Sequence, residues 1–271
     1  MLALYIILGV LAFLVALFLF LVYPSTRRHK DRDVLNGRFI AHRGFHGVMD
    51  NTPENSLNAF KRAVELGLAI EIDIHLTRDG EVVVFHDDTL TRVCGVDARV
   101  EDKTLSELKE LRLLNTDCRI PTLQECLDTV DGKVPLLIEF KCVSLKCDDL
   151  CRAADEILSK YNGKYLIQSF YPTVLKWYKK HRNDICRGQL ASKFSKEELH
   201  KRLLGCMLFN FLARPDFVSY EHKYSDYFFF KLVKRLGAFP VGWTFKSQAE
   251  LTENGKEFKT FIFEGFIPDK D

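Results

Sequence analysis

The sequence predicts an α/β fold: a TIM-type (β/α)8 barrel with a small inserted subdomain, preceded by one transmembrane helix. Three observations carry this prediction. Apolar runs of strand length recur along the chain, and segments of helical periodicity separate them, which is the pattern of parallel strands joined by crossover helices. One interval between runs, 88–134, is far longer than the others. The chain also opens on an unbroken apolar stretch, residues 1–23.

That stretch is long enough to cross a bilayer core as a helix of about 20 residues, and Pro24 ends it. A cleaved signal peptide would carry a basic start, a shorter apolar segment and a small-residue cleavage site. None of these is visible. Arg27, Arg28, Lys30 and Arg32 follow the apolar run and no basic residue precedes it. Because the side richer in positive charge stays cytoplasmic, a single-pass membrane protein with its catalytic domain in the cytosol is expected. The boundaries read as an anchor at 1–23, a basic and polar linker at 24–37, and a barrel domain at 38–271.

The strand-like runs are 38–42, 69–76 with 82–87 close behind, 135–141, 165–170, 187–190, 217–220, 240–245 and 260–267. Between the first two, Thr52 can cap a helix, Pro53 fits its first turn, and Leu57, Phe60 and Val64 repeat on one face before Gly67 stops it. Comparable helices are expected at 151–161 and 173–180. A closed barrel accounts for this alternation better than an open doubly wound sheet. Within the excursion at 88–134, helices at 105–111 and 123–130 suggest a cap inserted over the barrel.

Composition narrows the function. The net charge is +2, with acidic and basic residues interleaved, so there is no basic stripe of the kind that binds nucleic acid. Eight cysteines could pair outside a cell, but thiols stay reduced in the cytosol. Cys142, Cys147 and Cys151 lack the paired spacing of a zinc site. Free thiols are expected.

Strands of a parallel barrel should be apolar at nearly every position, and several here are not. In Ile70-Glu71-Ile72-Asp73-Ile74 the isoleucines share the face that packs on the helices, while Glu71 and Asp73 point together into the mouth. Carboxylates two residues apart on one strand face lie about 6 to 7 Å from each other, and burying both needs positive charge between them. Glu139, flanked by Ile138 and Phe140, can add a third from another parallel strand. Three hard oxygen donors suit one divalent metal ion, Mg²⁺ or Ca²⁺. A buried ion network with Arg43 and Lys141 is the alternative. His42 and His86 each close a strand-like run, and imidazole is the side chain best matched to moving protons near neutral pH.

These residues fall into a familiar series: His42-Arg43-Gly44, Pro53-Glu54-Asn55-Ser56, Glu71-Ile72-Asp73, Leu76-Thr77-Arg78-Asp79-Gly80, His86-Asp87-Asp88-Thr89-Leu90-Thr91-Arg92 and Ile138-Glu139-Phe140-Lys141. The series resembles the glycerophosphodiester phosphodiesterase family, within the phospholipase-C-like phosphodiesterase superfamily. The resemblance implies a TIM barrel with a subdomain after the early strands. It implies that Glu71, Asp73 and Glu139 hold the metal, with Glu54 near or in that shell, and that His42 and His86 perform acid-base catalysis. Arg43 and Lys141 would contact the phosphate, and Trp243, at a strand end, could stack on the glycerol or the head group. The C-terminus departs from the family pattern: Glu264-Gly265-Phe266-Ile267-Pro268-Asp269 stands where an Asp-Gly-Ile-Ile-Thr-Asp-like ending is usual. His75 is treated as a neighbour without a role.

The implied reaction is hydrolysis of a glycerophosphodiester to glycerol phosphate and an alcohol. The same constellation would serve a lysophospholipase D, whose lysolipid substrate a membrane-anchored domain would meet at the bilayer. A catalytically silent sensor would show loss of a histidine or a metal carboxylate, and none is lost. A purely structural protein would leave buried carboxylates without a charge partner. The expected partners are a small-molecule or lysolipid phosphodiester and the membrane. No protein partner follows from the sequence.

Overall fold

The computed structural model describes residues 1–25, 27–47, 52–194 and 199–269. Its strands are β1 (Phe39–Ala41), β2 (Ala69–Leu76), β3 (Val82–Val84), β4 (Leu136–Phe140), β5 (Tyr165–Ser169), β6 (Arg187–Ala191), β7 (Phe217–Glu221), β8 (Phe239–Phe245) and β9 (Thr260–Phe263). They form one sheet in the order β1-β9-β8-β7-β6-β5-β4-β2-β3, and β1 also pairs with β2, which closes a barrel of eight parallel strands. The ninth, β3, is not a stave. It folds back antiparallel on the far half of β2, pairing Ile74 with Val84 and Leu76 with Val82. The tight turn Thr77-Arg78-Asp79-Gly80 makes this possible, with Gly80 at φ +87° and the Thr77 amide bonded to the Glu81 carbonyl.

Strand alternation sorts the side chains. Ile70, Ile72 and Ile74 are fully buried in the outer layer with Phe60 and Ala63 of the helix Leu57–Glu65, as expected. Inside, the lower barrel is filled by Ile40, Leu137, Leu166, Phe217, Val241 and Ile262. A Cβ on Gly188 would sit 2.0 Å from the Phe217 ring, so only glycine leaves that ring its space. Toward the mouth the interior turns polar, with Glu71, Asp73, Glu139, Gln168 and Ser219 all buried.

Two local readings shift. The cap of Leu57–Glu65 is Ser56, whose Oγ accepts from the Ala59 amide at 3.2 Å, and not Thr52. Pro53 to Asn55 form part of the mouth instead, where Asn55 takes a left-handed φ of 52° and bonds through its amide to the Arg43 carbonyl. The long excursion is also two things. Its first part builds a separate small core from Leu90, Val93, Val100, Leu108 and Ile120 against Val83 and Phe85. Its last helix, Leu123–Val130, belongs to the barrel's outer layer.

The helix Leu2–Val22 is exposed from its start to Leu17 and then joins the domain. Val22 is fully buried and its carbonyl accepts from Asn210 Nδ2 at 2.9 Å, while Arg214 donates to the Phe20 and Tyr23 carbonyls, each at 2.7 Å. Phe20 packs on Phe211 and Phe18 on Phe229. The chain then runs under the barrel. Arg27 pairs with Asp216 at 3.0 Å, His29 bonds the Asp184 carbonyl, and Leu35 enters the floor of the barrel core. The aromatic stretch 190–230 is divided in the same way: Phe217 fills the barrel, Phe230 stacks on Tyr220, and Phe211 meets the N-terminal helix. Residues 195–198 of that stretch lie outside the described ones. All eight cysteines are free thiols.

Candidate active site

The polar side chains gather where barrel strands end. Glu71 and Asp73 stand on β2, and Asp73 is in register with Glu139 of β4. Among the described residues these three form a cluster whose candidate ligand oxygens lie within 4.8 Å of one another, all of them buried. Positive charge interleaves them: Lys141 Nζ lies 2.5 Å from Glu139 Oε1 and 3.1 Å from Asp73 Oδ1, and Arg43 Nε lies 3.6 Å from Asp73 Oδ2. The Arg43 amide donates to Glu71 at 3.2 Å and Asn55 Nδ2 donates to Asp73 at 2.9 Å.

The electrostatics follow. Burial, then the charges of Asp73 and Glu139, push Glu71 well above the usual carboxylate range. Burial raises Glu139 as well. For Asp73 burial works upward but Lys141 and its cationic neighbours outweigh it, so it stays ionised. Burial likewise opposes the charge on Lys141, and Asp73 and Glu139 overcome that. The ion network weighed as an alternative is therefore present, but it sets three buried carboxylates against two cations, and Asp73 Oδ1 and Glu139 Oε1 share the single ammonium of Lys141. Closely spaced buried carboxylates in excess of their cations are costly, and three hard oxygen donors of this kind fit a hard divalent cation.

Each histidine is held by its own acid. His42, just past β1, has Nδ1 2.6 Å from Glu264 Oε2 just past β9, and Lys246 lies 2.7 Å from the other oxygen of Glu264. Burial pushes His42 down to about 4, against the upward pull of Glu264. Burial would raise Glu264, but the bonds to His42 and Lys246 hold it below the usual range. An ionised carboxylate only accepts hydrogen bonds, so Nδ1 carries the proton and Nε2 keeps a free lone pair.

His86 reaches the mouth differently: it follows β3, so it returns from above on the antiparallel strand and does not end a stave. Its Nδ1 lies 2.6 Å from Asp87 Oδ1. Arg92 clamps both Asp87, at 2.7 Å, and Glu54, at 2.6 Å, and Arg43 holds Glu54 from the other side at 2.8 Å. Burial opposes ionisation of Glu54 and Asp87, but Arg92 lowers both, Asp87 to about 2. Glu54 with His86 and Asp87 forms a second group of closely spaced donors, and it stands apart from the buried trio.

Trp243 packs on the top of the barrel core, with its ring edge-on to Phe170 at 5.9 Å. His75, buried and pushed down to about 4 by its surroundings, bonds the His86 carbonyl through Nε2 at 3.3 Å, so it supports the loop that carries His86.

All nine residues singled out in the sequence thus converge on one mouth. Glu264, Asp87, Arg92 and Asn55, given no role there, complete it. Glu264 carried a usable signal, since it closes the apolar run Phe261-Ile262-Phe263 as His42 closes Phe39-Ile40-Ala41.

A model of the glycerophosphoryl diester phosphodiesterase family matches residues 42–270. The chain belongs to that family. The matched span runs from His42 past Glu264 and so contains the whole mouth. Among curated relatives, a human lysophospholipase D is 30% identical over 185 residues, 62% of this chain and 57% of the relative. A glycerophosphodiester phosphodiesterase of Caldanaerobacter subterraneus is 44% identical over 110 residues, 38% of this chain and 44% of the relative. The chain thus spans about half the length of these curated relatives. Among solved structures, a phosphodiesterase of Oleispira antarctica in complex with its product sn-glycerol-3-phosphate has a TM-score of 0.71 at 25% identity, covering 85% of this chain and 93% of that one. A glycerophosphodiester phosphodiesterase of Thermotoga maritima gives 0.63 at 27% identity, covering 84% and 94%. The barrel is the family's fold.

Proposed function

We propose that the protein hydrolyses glycerophosphodiesters to glycerol phosphate and an alcohol, with His42 and His86 as acid-base catalysts beside a divalent metal held by Glu71, Asp73 and Glu139. The observation that carries this is the pairing of two carboxylate-held histidines with three buried, closely spaced carboxylates that outnumber the two cations set among them. Family membership and the product-bound relative support the substrate class.

Hydrolysis must neutralise charge on the non-bridging oxygens and protonate a poor leaving group. A bound Mg²⁺ or Ca²⁺ would supply Lewis-acid stabilisation of that charge. Arg43 and Lys141 stand at the cluster, where they can bind the phosphate once the carboxylates have another partner. His42, kept neutral by burial with its Nδ1 proton fixed on Glu264, suits the base that takes a proton from the nucleophile, either water or a neighbouring substrate hydroxyl. His86, held by Asp87, suits the acid that protonates the leaving alcohol. Glu54, gripped by Arg43 and Arg92, positions the first of these, and Trp243 offers a face to the glycerol or head group.

The protein reads as a membrane-anchored enzyme, with residues 1–23 as a single-pass helix, 24–37 as a strap under the barrel and 38–271 as the catalytic domain facing the cytosol. Leu2–Val22 is long and apolar enough to span a bilayer. The bonds from Asn210 and Arg214 to its last carbonyls favour retention over cleavage. A lysophospholipid is the second substrate reading, supported by the human relative named a lysophospholipase D.

The test is turnover by the full chain in lipid nanodiscs, using glycerophosphocholine, glycerophosphoethanolamine, glycerophosphoglycerol and a lysophospholipid, each with EDTA, Mg²⁺ or Ca²⁺. Metal-dependent alcohol release, abolished in His42→Ala and Glu71→Ala, is expected. Metal binding with no turnover of any substrate overturns the reading in favour of a sensor.

A further inference from the structure

We propose that the barrel mouth faces the bilayer and that its apolar rim docks into the lipid surface; this rests on reading Leu2–Val22 as a membrane-spanning anchor. The path of that helix carries the inference. At its lower end Ser25 bonds the Pro215 carbonyl and Arg27 pairs with Asp216, both just before β7 and therefore at the floor of the barrel. Five residues before Tyr23, Phe18 touches Phe229 with ring centroids 6.0 Å apart. Phe229 lies in the first turn of the helix Phe228–Arg235, which follows the C-terminal end of β7 and so begins at mouth level. Traced back from Tyr23, the N-terminal helix climbs the flank of the barrel from the floor toward the mouth. Residues 2–17 continue that line for about 24 Å at 1.5 Å per residue, entirely exposed. A bilayer that holds them lies on the mouth side.

The exposed apolar residues agree, and they are independent of the helix path. Outside the helix, seven large apolar side chains are left exposed among the described residues, and five follow C-terminal strand ends. These are Val143 and Leu145 after β4, Leu199 after β6, Phe228 after β7 and Ile267 after β9, with Leu145 at 69% exposure. Of the other two, Leu114 is in the insertion and Leu66 is at the barrel's opposite end. Phe228 packs on Phe229, so the rim is continuous with the helix through Phe18. Exposed Lys146, Lys193, Lys223 and Lys246 stand among these residues beside Asp148, Asp149 and Asp226. Docking therefore rests on apolar insertion, with lysines at headgroup depth. An apolar cleft of about 630 Å³ between Leu145, Phe170, Phe194 and Phe209 opens within this rim, and Phe170 joins it to Trp243.

The experiment places single tryptophans in the full chain, Leu145→Trp, Ile267→Trp and Leu66→Trp, and reconstitutes each in phosphatidylcholine bilayers with or without brominated acyl chains. The fluorescence of the parent chain, with Trp177 and Trp243, is subtracted. At least twofold quenching at 145 and 267, with none at 66, is expected. Quenching at 66, at none of the three sites, or failure of the chain to enter the bilayer overturns the proposal. Two rim sites on separate loops guard against one misfolded variant. The readout is position alone, so a chain that hydrolyses nothing but shows the expected pattern keeps the orientation and loses the proposed activity; active enzyme with the reverse pattern does the opposite.

Discussion

Glu264 Oε2 stands 2.6 Å from His42 Nδ1 across the seam where the last barrel strand meets the first. The contact joins residues 222 positions apart and fixes which ring nitrogen is free. Glu264→Gln should lower kcat by about 10²-fold or more, the range of a misheld catalytic imidazole, with little change in KM. Steady-state kinetics on a soluble glycerophosphodiester checks this, and an unchanged kcat would show that Glu264 does not position His42 for the chemistry.

The same pair sets a pH dependence. Burial holds His42 at about 4, below its ordinary 6.5, so its neutral form persists as pH falls and the acid limb it contributes to kcat/KM lies nearer 4 than 6.5. Glu264 pulls that value upward, so Glu264→Gln moves the limb lower still. The sign for stability follows: between 4 and 6.5 the unfolded chain binds the extra proton, so His42 destabilises the fold as pH falls through that window. Denaturation of wild type and His42→Gln at pH 5 and pH 7 measures the difference.

Burial and two neighbouring carboxylates raise the Glu71 carboxyl well above its usual range. A divalent ion, which binds the ionised form, should pull it back down. Calorimetric titration of Mg²⁺ or Ca²⁺ in buffers of different ionisation enthalpy should show net proton release near neutral pH, and Glu71→Gln should reduce both release and affinity. Saturating metal at 100 times its Kd should stabilise the fold by about 2.7 kcal/mol.

Arg92 touches no part of the buried trio, but it holds Asp87 and Glu54 together. Arg92→Met should slow turnover about tenfold by loosening His86, with metal affinity by calorimetry retained. Asp87→Asn should reproduce the loss in kcat.

Leu35 is 1% exposed in the barrel floor, far from the mouth. Leu35→Ala should cost about 2 to 5 kcal/mol of stability, measured by chemical denaturation, while kcat of the folded protein stays within a factor of two.

The sequence made the trio legible because strand geometry has a period of two: Glu71 and Asp73 had to share a face once the isoleucines were assigned to the other. Glu139 followed by the same rule. The partner of His42 was harder: Glu264 closes its own apolar run, but its meeting with His42 follows only from barrel closure, which no local pattern encodes. His86 looked equivalent to His42 because Val82-Val83-Val84 reads as one more stave. Its antiparallel direction is decided by the short turn at Thr77–Gly80, too tight for a crossover helix. Ser56 displaced Thr52 as a helix cap because the intervening residues serve the mouth, a tertiary demand that overrides a local preference.

The strap under the barrel changes how this protein can be taken apart. Arg27, His29 and Leu35 tie the segment below the helix to the floor, so cutting the chain at Asn36 to obtain a soluble fragment would unplug the barrel from beneath. The useful truncation point lies upstream of Ser25, and even there the hydrophobic seat left by Phe18, Phe20 and Val22 would need resurfacing at Phe211 and Phe229. The N-terminal helix and the foundation of the barrel are one continuous piece, and a vector designed for crystallisation would have to respect both.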